Sequence, residues 1–555
     1  MAADLPVPTY TNLNEAYPDL VTAAREAARF NDLAIEYTKR FGHPPTHIAR
    51  APGRVNLIGE HVDYALFGVL PTAVERDVLI ACGKRPEGQI GTGEVRAENL
   101  DTKYTPQTFR PDPSNGTWHL PIDKSQLRWE SYIKAGYYGV LNQFFDPFQT
   151  EGALQPTPVD LLFTGTVPAG SGLSSSAAMV VASTLAFLAV NDKLHKDGQG
   201  TRKGELVEMA VENEKRVGVN SGGMDQAASV ISLPTSALYI SFFPVLHAES
   251  ILLPITRTVP RAVFVCANSL VVSDKVVGAK TRYNLRVVEV LVAARILARL
   301  LSLSFISGAP ASKPTLREVL GAYINARIHI PGSEVLETNE VRGQASPALS
   351  VEQLEDGLGR LLGECEVLRA SKLVGRVGGE EGLTMEEMVE ASGLSKEIII
   401  PHPLHSQSVE ATHFQLYKRA KHVFSEALRV LQFRKLCLSV SGSSEEGDLP
   451  ESTLKDLGAL MDASQESCSE LFECSCPELN RLTTIAREAG AYGSRLTGAG
   501  WGGCTVSLVA ENDVEGFISR VKAAYPPYRD LEGERLSEVI FATKPSGGAF
   551  GTAIS

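Results

Sequence analysis

Hydrophobic and polar positions follow two different periods along the chain, and the two periods predict two kinds of element. Residues 18–41 show the period of an amphipathic helix, with Leu20, Ala24 and Leu33 among charged neighbours. The same period predicts further helices over residues 129–145, 205–217, 283–301 and 416–433. Short apolar runs predict buried strands at residues 159–163, 262–266 and 505–509. Residues 67–84 predict a pair of strands that turns at Glu75-Arg76-Asp77.

Length and composition restrict the class of protein. A chain of 555 residues is too long for one compact core, so we expect two domains plus insertions. The content of 43% hydrophobic and 21% charged residues is ordinary for a globular protein. A net charge of −12 argues against a general surface for polyanions, so nucleic acid is not an expected ligand.

The cysteines and the apolar runs bear on location. The eight cysteines are spread widely, which predicts structural thiols in a reducing compartment rather than a disulfide framework. Cys474 and Cys476 have no second pair at zinc-finger spacing, so no zinc site is expected. The first residues lack the basic flank and apolar core of a secretory signal, and residues 177–190 are too short to span a bilayer. We therefore expect a cytoplasmic protein without a membrane partner.

A loop rich in glycine and serine lies between a predicted strand and a predicted helix. It reads Pro168-Ala169-Gly170-Ser171-Gly172-Leu173-Ser174-Ser175-Ser176-Ala177-Ala178. Glycines let the backbone approach a bulky anion, serines offer hydroxyls, and the following helix offers free N–H groups. The loop is a candidate phosphate-binding loop, although a simple strand-to-helix connection has the same composition. It is neither a Walker A loop nor a Gly-x-Gly-x-x-Gly dinucleotide loop.

A cluster of polar side chains ends the segment of residues 48–64, which begins with strand-like alternation. Arg54, Glu60, His61 and Asp63 bring hydrogen-bond donors and acceptors into one short stretch. Carboxylates accept bonds from sugar hydroxyls, and arginine and histidine donate to them. The alternative for such a cluster is a solvated turn with surface ion pairs.

Two further segments carry candidate chemistry. Asp225 follows Gly222-Gly223-Met224 and precedes a helical run, so it is either a helix cap or a carboxylate placed for chemistry. The glycine-rich residues 493–504 run into the strand at residues 505–509. These glycines permit a close approach of the backbone to the phosphate loop, and they also fit a tight hairpin.

Together these segments resemble the signatures of the galactokinases, a family of the galactokinase, homoserine kinase, mevalonate kinase and phosphomevalonate kinase (GHMP) superfamily. Residues 53–64 read Gly-Arg-Val-Asn-Leu-Ile-Gly-Glu-His-Val-Asp-Tyr, and Val62 stands where threonine is common in the family. The phosphate loop matches Pro-x-x-x-Gly-Leu-Ser-Ser-Ser-Ala-Ala, and residues 222–226 match Gly-x-Met-Asp-Gln. Residues 493–504 match the third signature.

The resemblance implies an α+β fold of two lobes with the site between them. Residues 1–255 would form an N-terminal lobe like the second domain of ribosomal protein S5. Residues 256–555 would form a ferredoxin-like C-terminal lobe, with a fungal-type insertion at about 306–403 that offers a candidate partner surface.

The resemblance also implies the activity and the roles of single residues. The expected reaction uses ATP and Mg²⁺ to convert galactose to galactose 1-phosphate. Asp225 would accept the proton of the sugar's 1-hydroxyl, and Arg54 would orient Asp225 and stabilise the transferring charge. Glu60, His61, Asp63, Gly222 and Tyr283 would join them in binding the sugar. The phosphates would lie on Gly170, Gly172, Ser174, Ser175 and Ser176, with Ser176 near Mg²⁺, and the loop of Asp274 and Lys275 would approach the nucleotide base.

Two alternatives share most of these motifs. A galactose and ATP sensor that binds a transcriptional repressor is related to fungal galactokinases, and such sensors lack a Ser-Ala pair that Ser176-Ala177 supplies here. The sequence therefore favours catalysis, and a protein with both roles stays open. A kinase for N-acetylgalactosamine differs only in the volume of its sugar pocket.

Overall fold

The structure is a computed structural model that describes residues 2–554 apart from 18, 87–91, 115, 125, 127, 148–154, 195–199, 219–221, 273–277, 279, 304–313, 328–348, 376–381, 400–408 and 442–447. Its strands are, in chain order, β1 (Thr9–Tyr10), β2 (His47–Ile58), β3 (Leu70–Lys84), β4 (Val95–Asn99), β5 (Gln107–Phe109), β6 (Asp112–Ser114), β7 (Thr117–His119), β8 (Val159–Gly165), β9 (Ser236–Ser241), β10 (His247–Leu252), β11 (Ala262–Asn268), β12 (Gly493–Leu496), β13 (Cys504–Ala510), β14 (Ile540–Thr543) and β15 (Phe550–Ala553).

The helices alternate with these strands. The α-helices are α1 (Leu13–Ala16), α2 (Leu20–Phe41), α3 (Trp129–Phe144), α4 (Ser175–Val190), α5 (Lys203–Glu214), α6 (Met224–Ile231), α7 (Tyr283–Leu300), α8 (Leu316–Arg327), α9 (Val351–Glu364), α10 (Ala370–Leu373), α11 (Met385–Ser392), α12 (Lys396–Ile399), α13 (Leu416–Ser441), α14 (Ser452–Glu470), α15 (Pro477–Glu488), α16 (Val514–Ala524) and α17 (Gly533–Val539). Short 3₁₀ helices cover Ala2–Asp4, Asp63–Ala65, Lys215–Val217, Pro254–Thr256, Cys365–Leu368, Glu511–Asp513 and Pro526–Tyr528.

Two sheets organise the described chain. The first has seven strands in the order β1-β15-β2-β3-β8-β4-β5, and the second has four antiparallel strands in the order β12-β13-β11-β14. The mixed content and the two sheets agree with the expected α+β fold. The last strand, β15, lies in the range predicted for the second lobe but pairs with β1 and β2 of the first sheet. The rest of the predicted division at residues 255 and 256 stays a prediction.

Most predicted elements form where their patterns placed them, and one differs. The amphipathic helix is α2, which Asp19 caps by accepting a bond from the Thr22 N–H at 2.8 Å and which ends at Gly42 with a φ of +79°. The predicted strand pair at residues 67–84 is wrong, because β3 runs through Glu75-Arg76-Asp77 as one strand of 15 residues. The triplet Glu75-Arg76-Asp77 itself holds no glycine or proline that would favour a turn.

The core joins the two sheets. One buried cluster contains Val55 and Leu57 of β2 together with Phe264 of β11 and Leu508 of β13. Helix α4 lies behind β2 and β3 and is buried on almost every side, which fits its nearly uniform apolar composition. Helices α8, α9 and α11, from the predicted insertion, pack on α7 and α13. No helix among the described residues has the length and apolarity needed to cross a bilayer.

Candidate active site

Arg54 is the residue on which the candidate site is built. It lies on the buried strand β2, next to an irregularity in the pairing with β3, and only 1% of its surface is exposed. Its Nε and Nη2 donate to Asp225 Oδ1 at 2.9 and 2.7 Å, and its Nη1 donates to the Gly172 carbonyl at 2.6 Å. One guanidinium therefore joins the candidate base to the candidate phosphate loop, as a planar group with several fixed donors is suited to do.

Asp225 stands in the first turn of α6, beyond a tight turn. Gly223 caps this helix with a φ of +105°, a conformation that favours glycine, so the interpretation of Asp225 as the cap is wrong. Asp225 is 7% exposed and directed at Arg54. The neighbouring Gln226 is fully buried, and its Nε2 donates to Glu214 at 2.5 Å, which anchors the same turn to the end of α5.

Glu60, His61 and Asp63 follow the end of β2 and are all buried, so the interpretation as a solvated turn is also wrong. Arg495 of β12 donates to Glu60 at 2.9 Å. Burial raises the pKa of the Glu60 carboxyl, and the positive charges of Arg495 and Arg54 oppose that shift. His61 Nε2 lies 2.9 Å from the Ala499 carbonyl, which makes it the donor of that bond.

Gly222 and Tyr283 lie against this polar loop. A side chain on Gly222 would overlap the Asp63 carboxylate, so glycine is required for the close approach. Tyr283, the first residue of α7, packs with its ring 5.6 Å from that of His61 and 5.7 Å from that of Tyr64. Burial raises the pKa of the Tyr283 hydroxyl well above its usual value, so it stays a neutral donor. The predicted sugar-binding residues thus lie in one cluster.

The phosphate loop turns through left-handed conformations before α4 begins. Gly170, Gly172 and Ser174 have φ values of +67°, +77° and +59°. Ser174 precedes the helix without capping it, and its buried hydroxyl has no hydrogen-bond partner among the described residues. A buried hydroxyl beside the unpaired N–H groups of a helix N-terminus fits a phosphate oxygen. Ser175 and Ser176 are the first two residues of that helix and are partly exposed.

The third glycine-rich segment is a hairpin between β12 and β13, and it also lies directly on the phosphate loop. A Cβ on Gly172 would stand 2.7 Å from the Thr497 carbonyl, and one on Gly498 would stand 2.5 Å from the Gly172 carbonyl. Gly503 approaches the Ser171 carbonyl in the same way. Both interpretations of this segment therefore hold, and its glycines are needed because backbone meets backbone there.

The predicted site and the observed site differ in two ways: two predicted residues are not described by the structure, and two observed residues were not predicted. Asp274 and Lys275 lie outside the described residues, so their role stays a prediction. The structure adds Arg495, which holds Glu60, and Phe472, whose ring stacks on His61 at 4.6 Å. Arg495 is fully buried and belongs to the third signature, and that membership is the signal that could have identified it. Nothing in the pattern around Phe472 distinguished it from other core residues.

Comparisons with known proteins agree with this geometry. The galactokinase galactose-binding signature matches residues 35–84, the GHMP kinase N-terminal domain matches residues 133–232, and the GHMP kinase C-terminal domain matches residues 447–527. The galactokinase of Saccharomyces cerevisiae is 36% identical over 551 residues, which cover 96% of this chain and 97% of that protein. The galactokinase of Dictyostelium discoideum is 35% identical and covers 94% of this chain and 93% of its own length.

A solved structure has the same fold. The crystal structure of Lactococcus lactis galactokinase complexed with galactose covers 94% of this chain and 99% of that protein, with a TM-score of 0.59 and 20% identity. The two relatives above exceed 30% identity over nearly their whole length, and the matched signature contains Arg54, Glu60, His61 and Asp63. The chain belongs to the galactokinase family of the GHMP kinases.

Proposed function

We propose that this chain is a galactokinase that transfers the γ-phosphoryl group of ATP to the 1-hydroxyl of galactose. Membership of the kinase family implies that ATP is the donor. The observation that carries the proposal is the guanidinium of Arg54, which contacts Asp225 on one side and the Gly172 carbonyl on the other. The residues expected to face the sugar and those expected to face the phosphates are thereby linked through one side chain.

Asp225 is proposed as the proton acceptor. Pairing with a guanidinium favours the ionised carboxylate, which is the form that takes a proton. Removing the proton of the sugar's 1-hydroxyl as its oxygen attacks phosphorus makes that oxygen a better nucleophile. Arg54 contacts both Asp225 and the phosphate loop, and from there its charge would stabilise negative charge that moves from the nucleophile to the phosphate.

The start of α4 is proposed to hold the phosphates. The buried Ser174 hydroxyl and the first N–H groups of α4 supply donors, and the left-handed turns at Gly170 and Gly172 leave the backbone open to close approach. Ser176 would supply a hydroxyl oxygen to Mg²⁺, which usually takes few protein ligands and binds substrate phosphates and water as well. When bound, the ion neutralises charge on the phosphate oxygens.

Glu60, His61, Asp63 and Tyr283 are proposed to select the sugar. All four are buried and polar. A hexose that leaves one of them without a hydrogen-bond partner therefore binds more weakly, because the desolvation cost of that group is not offset. A sugar with a different pattern of hydroxyls is therefore expected to be rejected strongly. The proposed role of Gly222 is to let its own peptide reach this pocket beside Asp63.

The test is a panel of sugars incubated with Mg-ATP and the protein, with the product identified by ³¹P NMR. Galactose should give galactose 1-phosphate and ADP, and the Asp225→Asn variant should lose at least a hundredfold in kcat, within the range of general-base contributions. Turnover of N-acetylgalactosamine but not galactose would replace the proposed substrate. Binding of galactose without any turnover would refute the kinase and favour a sensor, whose predicted repressor partner stays a prediction.

A further inference from the structure

The backbone of Glu60 is held on both sides by helix α13. Glu426 Oε1 accepts bonds from the N–H groups of Gly59 at 2.9 Å and of Glu60 at 3.2 Å. One helical turn earlier, His422 Nε2 lies 3.0 Å from the Glu60 carbonyl. A carbonyl cannot donate, so Nε2 carries the proton in that bond. Both peptide groups that flank the Glu60 side chain are thus tied to α13.

Helix α14 fixes the two side chains that make these bonds. Ser464 Oγ donates to Glu426 Oε1 at 2.6 Å, and Ser467 Oγ lies 2.9 Å from His422 Nδ1, which must accept because Nε2 is the protonated nitrogen. Arg429 donates to the other oxygen of Glu426 at 2.8 Å. Every one of these side chains except that of Arg429 is fully or almost fully buried, so their hydrogen bonds are not exchanged with water.

The charge states of the pair suit this arrangement. Burial lowers the pKa of His422 to about 4, so the imidazole is neutral at physiological pH and has one donor and one acceptor. For Glu426, burial acts to raise the pKa, but Arg429 and Arg495 outweigh it and hold the pKa far below its usual value. The carboxylate is therefore ionised, and its bonds to the two backbone N–H groups are charge-assisted.

The backbone of residues 59–61, which His422 and Glu426 hold, has a conformation that is unfavourable without such support. Gly59 and His61, on either side of Glu60, have φ values of +105° and +59°. A residue with a side chain in the left-handed region costs on the order of 1 kcal/mol or more, and it persists where its surroundings fix it. The ring of Phe472 packs against His61 at 4.6 Å and against His422 at 4.4 Å, so the same group of residues also orients the His61 side chain.

We propose that His422 and Glu426, here called the backbone clamp, are positioning residues that set the affinity for the sugar by holding Glu60 and His61 in their binding arrangement. This inference rests on the proposed function, in which Glu60 and His61 bind the sugar. The phosphate loop has other neighbours in the described chain, chiefly Arg54, Thr497 and Gly503. Loss of the clamp is therefore expected to weaken sugar binding and to spare ATP binding.

The decisive variant is Glu426→Gln. The amide oxygen still accepts from both N–H groups, but the negative charge is lost and the amide nitrogen faces the donor of Arg429. We expect the KM for galactose to rise about tenfold or more and the KM for ATP to change less than twofold. The control is Asp77→Asn. Asp77 is another buried carboxylate between two arginines, but it does not contact residues 59–63, so the variant should leave the galactose KM unchanged.

A second readout separates positioning from a general loss of stability. Saturating galactose and a non-hydrolysable ATP analogue should each raise the Tm of the wild type, by amounts set by their affinities. In Glu426→Gln the shift caused by galactose should shrink while the shift caused by the analogue persists. If that variant does not fold, Ser464→Ala and Ser467→Ala each remove one support of the clamp and should raise the galactose KM two- to fivefold.

The outcomes that overturn the clamp differ from those that overturn the function. Equal loss of galactose and ATP affinity in Glu426→Gln, or an unchanged galactose KM in the folded variant, would refute the clamp and leave the kinase in place. A wild type that binds galactose without phosphorylating it would refute the kinase, and the two galactose-induced Tm shifts would then decide the clamp alone. A wild type that does not bind galactose would refute both.

Discussion

Replacing Arg54 with lysine tests the link between the two halves of the site. The guanidinium donates to two different acceptors, Asp225 Oδ1 at 2.7 to 2.9 Å and the Gly172 carbonyl at 2.6 Å. Lysine keeps the positive charge but presents it at one point on a flexible chain, so it cannot serve both acceptors with the same geometry. Arg54→Lys therefore removes the connection between the two acceptors and keeps the positive charge.

The size of the effect follows from these contacts. A hydrogen bond to a charged group contributes about 1.5 to 3 kcal/mol, and lysine should lose at least one such bond. If that loss falls on the transition state, it corresponds to a decrease of roughly 10- to 150-fold in kcat/KM. Loss of the bond to the Gly172 carbonyl would also leave that partly buried group without this donor, so the upper part of the range is expected.

The chain offers a matched control four residues earlier on the same strand. Arg50 is also 1% exposed, and it donates to Asp77 at 2.7 Å and to the Gly547 carbonyl at 2.7 Å. Arg50→Lys makes the same chemical change to a buried arginine that holds a carboxylate and a carbonyl, but outside the site. Its Tm should fall by an amount similar to that of Arg54→Lys, whereas its kcat/KM should stay within about twofold of wild type.

The assay is ADP release with galactose under kcat/KM conditions, coupled to NADH oxidation, with Tm measured on the same preparations. Arg54→Lys with kcat/KM within threefold of wild type would refute the role assigned to the guanidinium. Equal losses in the two variants would show that a buried arginine on β2 matters for stability alone. Only a loss confined to Arg54→Lys supports the reasoning.

Three further changes test other parts of the site. Gly172→Ala should raise the KM for ATP at least tenfold, because its Cβ would lie 2.7 Å from a carbonyl, whereas Gly42→Ala has nearly the same φ with open space around it and should cost stability only. Ser176→Ala should weaken the use of Mg-ATP in an ATP titration and leave the galactose KM unchanged. His422→Gln keeps a donor for Glu60 but cannot be protonated. In the wild type the pKa of His422 is about 4, below the ordinary 6.5, so between these values the unfolded chain binds a proton that the folded chain does not. This one group therefore lowers the free energy of unfolding by about 2 kcal/mol between pH 7.5 and pH 5. The variant should lack that part of the acid loss in urea unfolding, and an equal loss in both proteins would contradict the assignment.

Functional residues were best predicted from the sequence where they belong to short motifs, in which residue type, spacing and resemblance to a known family all agree. Arg54, Glu60, Asp63 and Asp225 were predicted from the types and spacing of residues and from resemblance, and the structure brings them together. The helices were predictable because a stripe of apolar residues at helical spacing must face a core. The strand β3 was mispredicted as a pair, since a polar triplet without glycine or proline can continue a strand as readily as it can end one.

The residues that hold the site in place were not predictable in the same way. Glu426, His422 and Phe472 lie more than 350 residues from the loop they support, and each has the ordinary appearance of a helix or core residue in the sequence. Their roles depend on a contact between distant segments, which no local pattern records. Arg495 was an intermediate case, because it lies within one of the recognised signatures but its position there does not say which carboxylate it pairs with.

Strand β2 explains why such distant segments have to act together. It carries Arg50 and Arg54, and its two edges pair with β3 and with β15, the last strand of the described chain. The register sets Phe550 opposite Arg50, so β2, which carries Arg54, has both edges paired only when residues 550–553 have returned to the first sheet. The strand pairing holds β15 in the sheet, and Arg50 also donates to the carbonyls of Gly547 and Gly548 just before it. Because an exposed edge leaves its N–H and C=O groups without strand partners, a chain that ends before β15 should lose the geometry of Arg54 even though all motifs of the site are still present.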